Sequence, residues 1–526
     1  MLQYIVMRSS SLYALRHGPL TVYVKPLEGD PDLGGLVRAL PPRQPVIWLD
    51  SARHHPVTGR WSMVGFDPWL TLVAHGDRME LRTRAATTMK RSHPLQALQE
   101  ILRRYRADAS SQPHTRAIGL MGFLSYDLNR WIERLPVPQP GALPCPDMLW
   151  FAMGTVILVD HLEGRSWLLS VVDPHGVPRL ARREALERLG QLEAVLPAGS
   201  RGNAEGLCEA DPEPPTLRAT TTQPEFEEMV VLALEYIRAG DIFQANVSQR
   251  FTAPWRCRAL PLYEALRGIN PSPFSCFLSS DEMAVVSCSP ERLVRVQGGR
   301  VDTRPIAGTR PRGATPLEDA VNSLDLLLSE KERAEHIMLV DLARNDLGRV
   351  CTAGSVCVGE LMSLEEYSHV LHIVSDVSGL LRRGVEAAEI IRAVFPGGTI
   401  TGCPKVRSMQ ILRELEPVPR GLYTGSLGYI SFDGTMDLNL AIRTIVVQGG
   451  RMSFHVGAGI VADSDPEREY RETLAKAGAL MQALRVVGGE TRDAGLRAQG
   501  CGSGARSLQP ESRALSLQRC SVDAVR

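Results

Sequence analysis

A mixed α+β fold is what this sequence predicts, and three observations predict it. Short β-rich runs such as Pro45 to Leu49 and Thr155 to Val159 are interleaved with helical patterns at Leu95 to Tyr105 and Arg179 to Leu196. With 44% hydrophobic residues in 526, the chain can bury one large core or two moderate ones. Farther on, Phe226, Val230, Leu234 and Ile237 stand at helical spacing up to Gly240, where a left-handed C-cap fits, and a strand follows at once. In that strand Phe243, Ala245 and Val247 alternate with Gln244, Asn246 and Ser248, giving one face to the core and one polar face to something else.

Two stretches interrupt the periodic apolar pattern, at 197–222 (Gly, Pro, Glu, Thr) and 488–526 (Ser, Arg, Gly, Gln). They divide the chain into an N-terminal region 1–196, a linker loop 197–222, a second block 223–487 and a tail 488–526. The tail lacks a run able to bury a core and is expected to be disordered. No internal repeat is present.

Lys+Arg 59 balance Asp+Glu 59, so the overall charge points to no nucleic-acid or membrane partner. Met1 to Leu20 contains Arg8, Arg16 and His17 and no unbroken apolar run long enough for a signal peptide or transmembrane helix, so a cytoplasmic location is expected. The 10 cysteines are scattered, and free thiols are expected. Cys351 and Cys357 have no second pair at zinc spacing.

The strongest local signal runs from Ser329 to Asp346. Ser329 and Glu332 have capping-box spacing, and Glu332 and Glu335 project from one face near the N-terminus, where the helix dipole favours negative charge. By itself this suits a solvated face, with Glu335 paired to Lys331. A second acidic helix changes the balance: Asp465 suits an N-cap with Pro466 behind it, and Glu469, Glu472 and Lys476 share a face. Two such faces can hold one hard cation of the Mg2+ type, completed by an anionic oxygen of the substrate.

Arg443 lies in a predicted strand, Asp437 to Val447, that is largely apolar on both faces, so it needs a carboxylate partner or a ligand. After the next short strand, Gly457 and Gly459 allow close backbone approach to a ligand. A dinucleotide reading of Gly457 to Ala462 fails because the helix cap comes only at Asp465 and no further strand follows. Gly397 to Lys405 lacks the Gly-Lys-Ser/Thr ending of a phosphate loop. His369 and His372 remain for proton transfer or substrate orientation.

Several motifs, in order, resemble the chorismate-binding family: Ser289-Pro290-Glu291-Arg292, Arg304 to Gly313, Ala334 to Asp346, Phe395 to Lys405 and Gly457 to Lys476. Weaker echoes occur at Leu49 to Ala52, Gly59 to Ser62 and Tyr126 to Pro136. The family includes the large subunits of anthranilate synthase and aminodeoxychorismate synthase, and isochorismate and salicylate synthases. The resemblance implies an anthranilate synthase component I-like fold, two packed, mainly antiparallel β-sheets with helices outside. It implies Mg2+ bridging the chorismate ring carboxylate to Glu335 and Glu472, with Glu332 and Glu469 beside them. Tyr423, Arg443, Gly457 and Gly459 match positions that hold the enolpyruvyl carboxylate. Gly308 and Thr309 match positions along the ring, Lys476 is at the site, and His372 matches the histidine near the departing C4 hydroxyl.

Ammonia users of this family draw on a glutamine amidotransferase, and this chain has no Cys-His pair of its own for that work, so a glutaminase partner is implied. Ala307, where many aminodeoxychorismate synthases carry a nucleophilic lysine, resembles the anthranilate branch. Gln244 to Gln249, Tyr423 to Ile430, Asp437 to Leu440, Gly397 to Gly402 and Leu49-Asp50-Ser51 resemble the aminodeoxychorismate branch, and the expected assignment follows them. Ala245, where water-activating relatives have lysine, speaks against an isochorismate or salicylate synthase.

Overall fold

The computed structural model describes residues 5–6, 12–55, 57–136, 145–195, 215–366 and 370–488. Within them, 23 strands join in one large curled sheet, a separate three-stranded sheet stands beside it, and every named strand pairing is antiparallel. Strands from both sequence blocks share the large sheet: Val46–Asp50 pairs with Phe274–Ser279, and Gly119–Leu124 with Ser426–Ser431. The predicted helices and strands of the first block are found at Pro94–Arg104, Pro178–Val195, Val46–Asp50 and Met148–Asp160. Arg218–Ala219, inside the expected linker, pairs with Phe251 and Thr252. The tail from residue 489 lies outside the described residues.

The elements that build the site are local in origin. Thr222 and Glu225 form a reciprocal capping box for the helix Gln223–Arg238, whose buried side is Phe226, Met229, Val230, Ala233 and Leu234. Gly240, at φ +81, turns the chain into the strand Gln244–Pro254. That strand pairs with Arg451–Ile460 over ten residues, and its Ala245 and Val247 are fully buried. Ser329 accepts a bond from the Glu332 N–H and starts the helix Glu330–Gly348; Asp465 does the same for Arg468 at the head of Pro466–Val487.

Four expectations are corrected. Phe243 is 66% exposed: it precedes the strand, so the apolar alternation begins at Ala245. Arg443 is in no strand; it occupies the break between Met436–Asn439 and Thr444–Gln448 with φ +51, a left-handed conformation that costs a non-glycine residue. Gly457 and Gly459 do not follow a strand but lie within Arg451–Ile460. Of the described cysteines, Cys257 is disulfide-bonded, while Cys145, Cys276, Cys288, Cys351, Cys357 and Cys403 are free.

Candidate active site

One contiguous set of contacts links nearly all the predicted site residues. On the helix Glu330–Gly348, Glu335 accepts a hydrogen bond from Gln244 Nε2 at 2.7 Å on the strand's polar face, and Lys331 acts on it through its charge. A Cβ built on Gly459 would stand 2.9 Å from Gln244 Nε2 and 3.7 Å from Glu335 Oε1. Gly457 is tighter still: a Cβ there would meet Asn246 Oδ1 at 2.4 Å and Tyr423 Oη at 2.7 Å. The glycines therefore keep a narrow space open between sheet backbone, Tyr423 and the acidic helix. Lys476 Nζ closes one side, donating to the Gly457 carbonyl at 3.0 Å and pairing with Glu472 at 2.8 Å.

The acids are crowded. Burial first, and then the Glu332 charge, push Glu335 up to about 7; burial and then Glu472 raise Glu469, which is 7% exposed. Lys331 and Lys476 act on both Glu335 and Glu469, which puts the two helix faces in one electrostatic neighbourhood. No three His, Cys, Asp or Glu side chains among the described residues gather closely enough to cage a metal alone. A donor set of this kind, carboxylates repelling one another without closing into a cage, fits a hard divalent cation that takes one or two protein oxygens and fills its shell from water and ligand.

On the other side stands the three-stranded sheet. Gly308, at φ +68, sits where the register between Ile306–Pro311 and Val370–Val374 shifts by one residue. A Cβ on it would lie 3.0 Å from Glu332 Oε2, and its carbonyl is 3.1 Å from His372 Nδ1. A carbonyl only accepts, so this bond puts the His372 proton on Nδ1 and leaves the buried Nε2 as an acceptor. Burial, with Arg443 and Lys476 adding to it, lowers His372 to about 4, so the ring is neutral at pH 7. The Thr309 backbone is paired with His372; its side chain and His369 lie outside the described residues.

Arg443 connects this side to a group that motif reading passed over. Its Nη1 is 3.4 Å from Asn270 Oδ1, and its charge acts on both His372 and Glu291. Glu291 is 6% exposed, accepts from Thr399 Oγ1 at 2.8 Å and from the Ile306 N–H, and is pushed up to about 7 by burial. A buried carboxylic acid titrating near neutrality beside a site cation is a candidate proton donor. The signal was available: Glu291 is the lone acid in an otherwise apolar stretch from Met283 to Val294, broken only by small polar residues, Pro290 and Arg292.

The family model for chorismate binding enzymes matches residues 44–482, across both blocks and every residue of the candidate site. The chain belongs to that family. It is a chorismate-utilising enzyme. Aminodeoxychorismate synthase component 1 of Bacillus subtilis (strain 168) is 39% identical over 482 residues, 89% of this chain and 97% of that one. Anthranilate synthase component 1 of Aquifex aeolicus (strain VF5) is 41% identical over 448 residues, 84% and 89% of the two chains. Among solved structures, anthranilate synthase component I from Streptococcus pneumoniae TIGR4 superposes with a TM-score of 0.71 at 31% identity, covering 82% of this chain and 94% of that one. No helix among the described residues is long and apolar enough to cross a membrane.

Proposed function

We propose that this chorismate-binding enzyme is the aminating component of aminodeoxychorismate synthase, replacing the C4 hydroxyl of chorismate with an amino group for p-aminobenzoate and folate synthesis. Ammonia would come from a glutamine amidotransferase subunit. The observation that carries the branch choice is Asp50, in the Leu49-Asp50-Ser51 motif. Its carboxylate is already taken by Tyr263 Oη at 2.7 Å, Arg267 Nε at 2.5 Å and Ser62 Oγ at 3.3 Å. A carboxylate so engaged is poorly placed to receive the ammonium group of an amino-acid feedback ligand, which favours the branch without tryptophan feedback.

In this reading Mg2+ would be held by Glu335 and Glu472, with Glu332 and Glu469 beside them, and when bound would supply electron withdrawal through the ring carboxylate. Arg443, Tyr423 and the Gly457 and Gly459 backbone hold the enolpyruvyl carboxylate, where a guanidinium gives charge-assisted bonds. Glu291, protonated below about pH 7, gives a proton to the C4 hydroxyl as it leaves as water. Neutral His372 orients that hydroxyl through its Nε2 lone pair. The balance is chorismate plus ammonia giving aminodeoxychorismate plus water.

Anthranilate synthase component I is the second reading, and Ala307 favours it. The residue is 7% exposed beside Gly308 and offers no amine to the ring. In the aminodeoxychorismate reading, ammonia or water must therefore add at C2 as the C4 hydroxyl leaves as water, and must itself be expelled from C2 when ammonia adds at C4. Incubation of the purified chain with chorismate, Mg2+ and ammonium separates the two. Aminodeoxychorismate synthesis predicts p-aminobenzoate only after an aminodeoxychorismate lyase is added, with no pyruvate before it. Fluorescent anthranilate with stoichiometric pyruvate would overturn the assignment.

A further inference from the structure

Behind Tyr423 lies a cavity of about 310 Å³ that none of the chemistry above uses. It is at the lower end of the size range of small-molecule pockets. Neither Gly457, Arg443 nor any of the acidic helix residues lines it; its walls come from Arg130, Arg250, Leu422, Tyr423, Val446 and His455, among others. Its place is set by the strand Arg451–Ile460. Side chains at odd positions of that strand share a face, so Gly459 and Gly457 serve the substrate end while His455 and Ser453 continue the same face into the cavity. Tyr423 is the partition. Its hydroxyl approaches Gly457 and its ring stacks on His455, with centroids 5.2 Å apart and 11° between planes.

The polar groups around the cavity point to one ligand chemistry. His455 is 5% exposed, and its Nδ1 has no hydrogen-bond partner. An unpaired buried ring nitrogen is costly, and the usual solution is a bound polar group. Arg250 faces His455 across the strand pair, and its Nε donates to Thr220 Oγ1 at 3.4 Å, so it meets a ligand as an already anchored guanidinium. The acids present are already engaged: Asp147 with Arg130 at 2.7 Å and the Gly76 N–H at 2.5 Å, Asp127 with the Gly421 N–H at 2.9 Å. Burial, then Arg250 and Arg420, hold the imidazole neutral, so Nδ1 and Nε2 supply one donor and one acceptor. Leu422, Val446, Phe454 and Pro419 supply apolar wall, while His75, Arg420, Thr444 and Ser453 add further polar groups.

We propose that this cavity is a second ligand site, for a small monocarboxylate with an apolar or aromatic body, seated between Arg250 and His455. Through the shared Tyr423, its occupancy changes the affinity of the substrate site. Coupling of this kind is reciprocal, so substrate binding must change the carboxylate's affinity by the same factor.

Benzoate is the probe. It is titrated calorimetrically into the full chain and into Arg443→Gln, Arg250→Gln and Arg250→Lys, each first checked for an unchanged melting temperature without ligand. The expected result is saturable binding to the unaltered chain and to Arg443→Gln, at least tenfold weaker binding to Arg250→Gln, partial recovery in Arg250→Lys, and a chorismate KM that shifts twofold or more with benzoate present. A cavity-filling Ser453→Leu variant gives an independent arm and should abolish binding. Absence of saturable binding by the unaltered chain, purely competitive displacement by chorismate with loss of binding in Arg443→Gln, or full-strength binding in both Arg250→Gln and Ser453→Leu would overturn the proposal.

Discussion

Glu335 and Glu291 are both carboxylic acids pushed up to about 7, yet they reach that value in opposite surroundings. Glu335 stands on a helix face beside Glu332, within reach of the Glu469 and Glu472 helix, and like charge adds to its burial. Glu291 is sealed within the sheet-borne side of the site, satisfied by Thr399 and the Ile306 N–H, and eased only by Arg443. Burial and the neighbouring Glu332 raise the first acid against Lys331 and Lys476; burial alone raises the second, against two hydrogen bonds and Arg443. The contrast separates two chemical jobs within one cleft, cation binding on the helices and proton donation on the sheet.

Breaking the sheet side should have the largest effect. Glu291→Gln keeps the shape and the acceptor for Thr399 but cannot donate a transferable proton, so kcat is expected to fall roughly 10²–10⁴-fold with chorismate KM little changed. The same variant sharpens the pH comparison. Because the native acid titrates near 7 and the unfolded one near 4.5, the stability it contributes is complete below pH 4.5 and is lost as pH rises through 7. Thermal melts between pH 5 and pH 8 should therefore slope downward less steeply in Glu291→Gln. An unchanged slope would remove Glu291 from the account.

Arg443→Gln should come next. Removing a guanidinium from a buried substrate carboxylate is expected to cost about 2–5 kcal/mol, seen mainly as a raised chorismate KM in steady-state kinetics. Gly457→Ala should do less. Its new methyl would fall against Asn246 Oδ1, Tyr423 Oη and the Val247 carbonyl, so a destabilisation of about 1–3 kcal/mol and a moderate KM increase are expected from melting and kinetics.

Much of this was legible before any coordinates, and the parts that were not have physical reasons. Ser329 and Asp465 announced both acidic helices because N-capping is a local interaction, written in four consecutive residues. Arg443 was placed within a strand because apolar residues continue on both sides of it, and periodicity does not register a single left-handed residue that breaks the ladder. Gly457 and Gly459 were set after a strand because glycine usually punctuates; here it marks close approach inside a strand, which only the neighbours Asn246 and Tyr423 reveal. Glu291 lies in plain view within the Ser289 to Arg292 motif, but its chemistry comes from burial and from Thr399, more than a hundred residues away in the chain.

The family assignment stands on the match over 44–482, while the division of labour within the cleft rests on the helix-borne acids needing a cation. The most direct measurement is the dissociation constant of chorismate at pH 8, with and without Mg2+, for the unaltered chain and for Glu335→Gln. Glu335 is largely ionised at that pH, so proton competition with the metal is small. At least tenfold tighter chorismate binding with Mg2+ is expected in the unaltered chain, and little or no Mg2+ effect in the variant. Equal affinity with and without Mg2+ in the unaltered chain would contradict it.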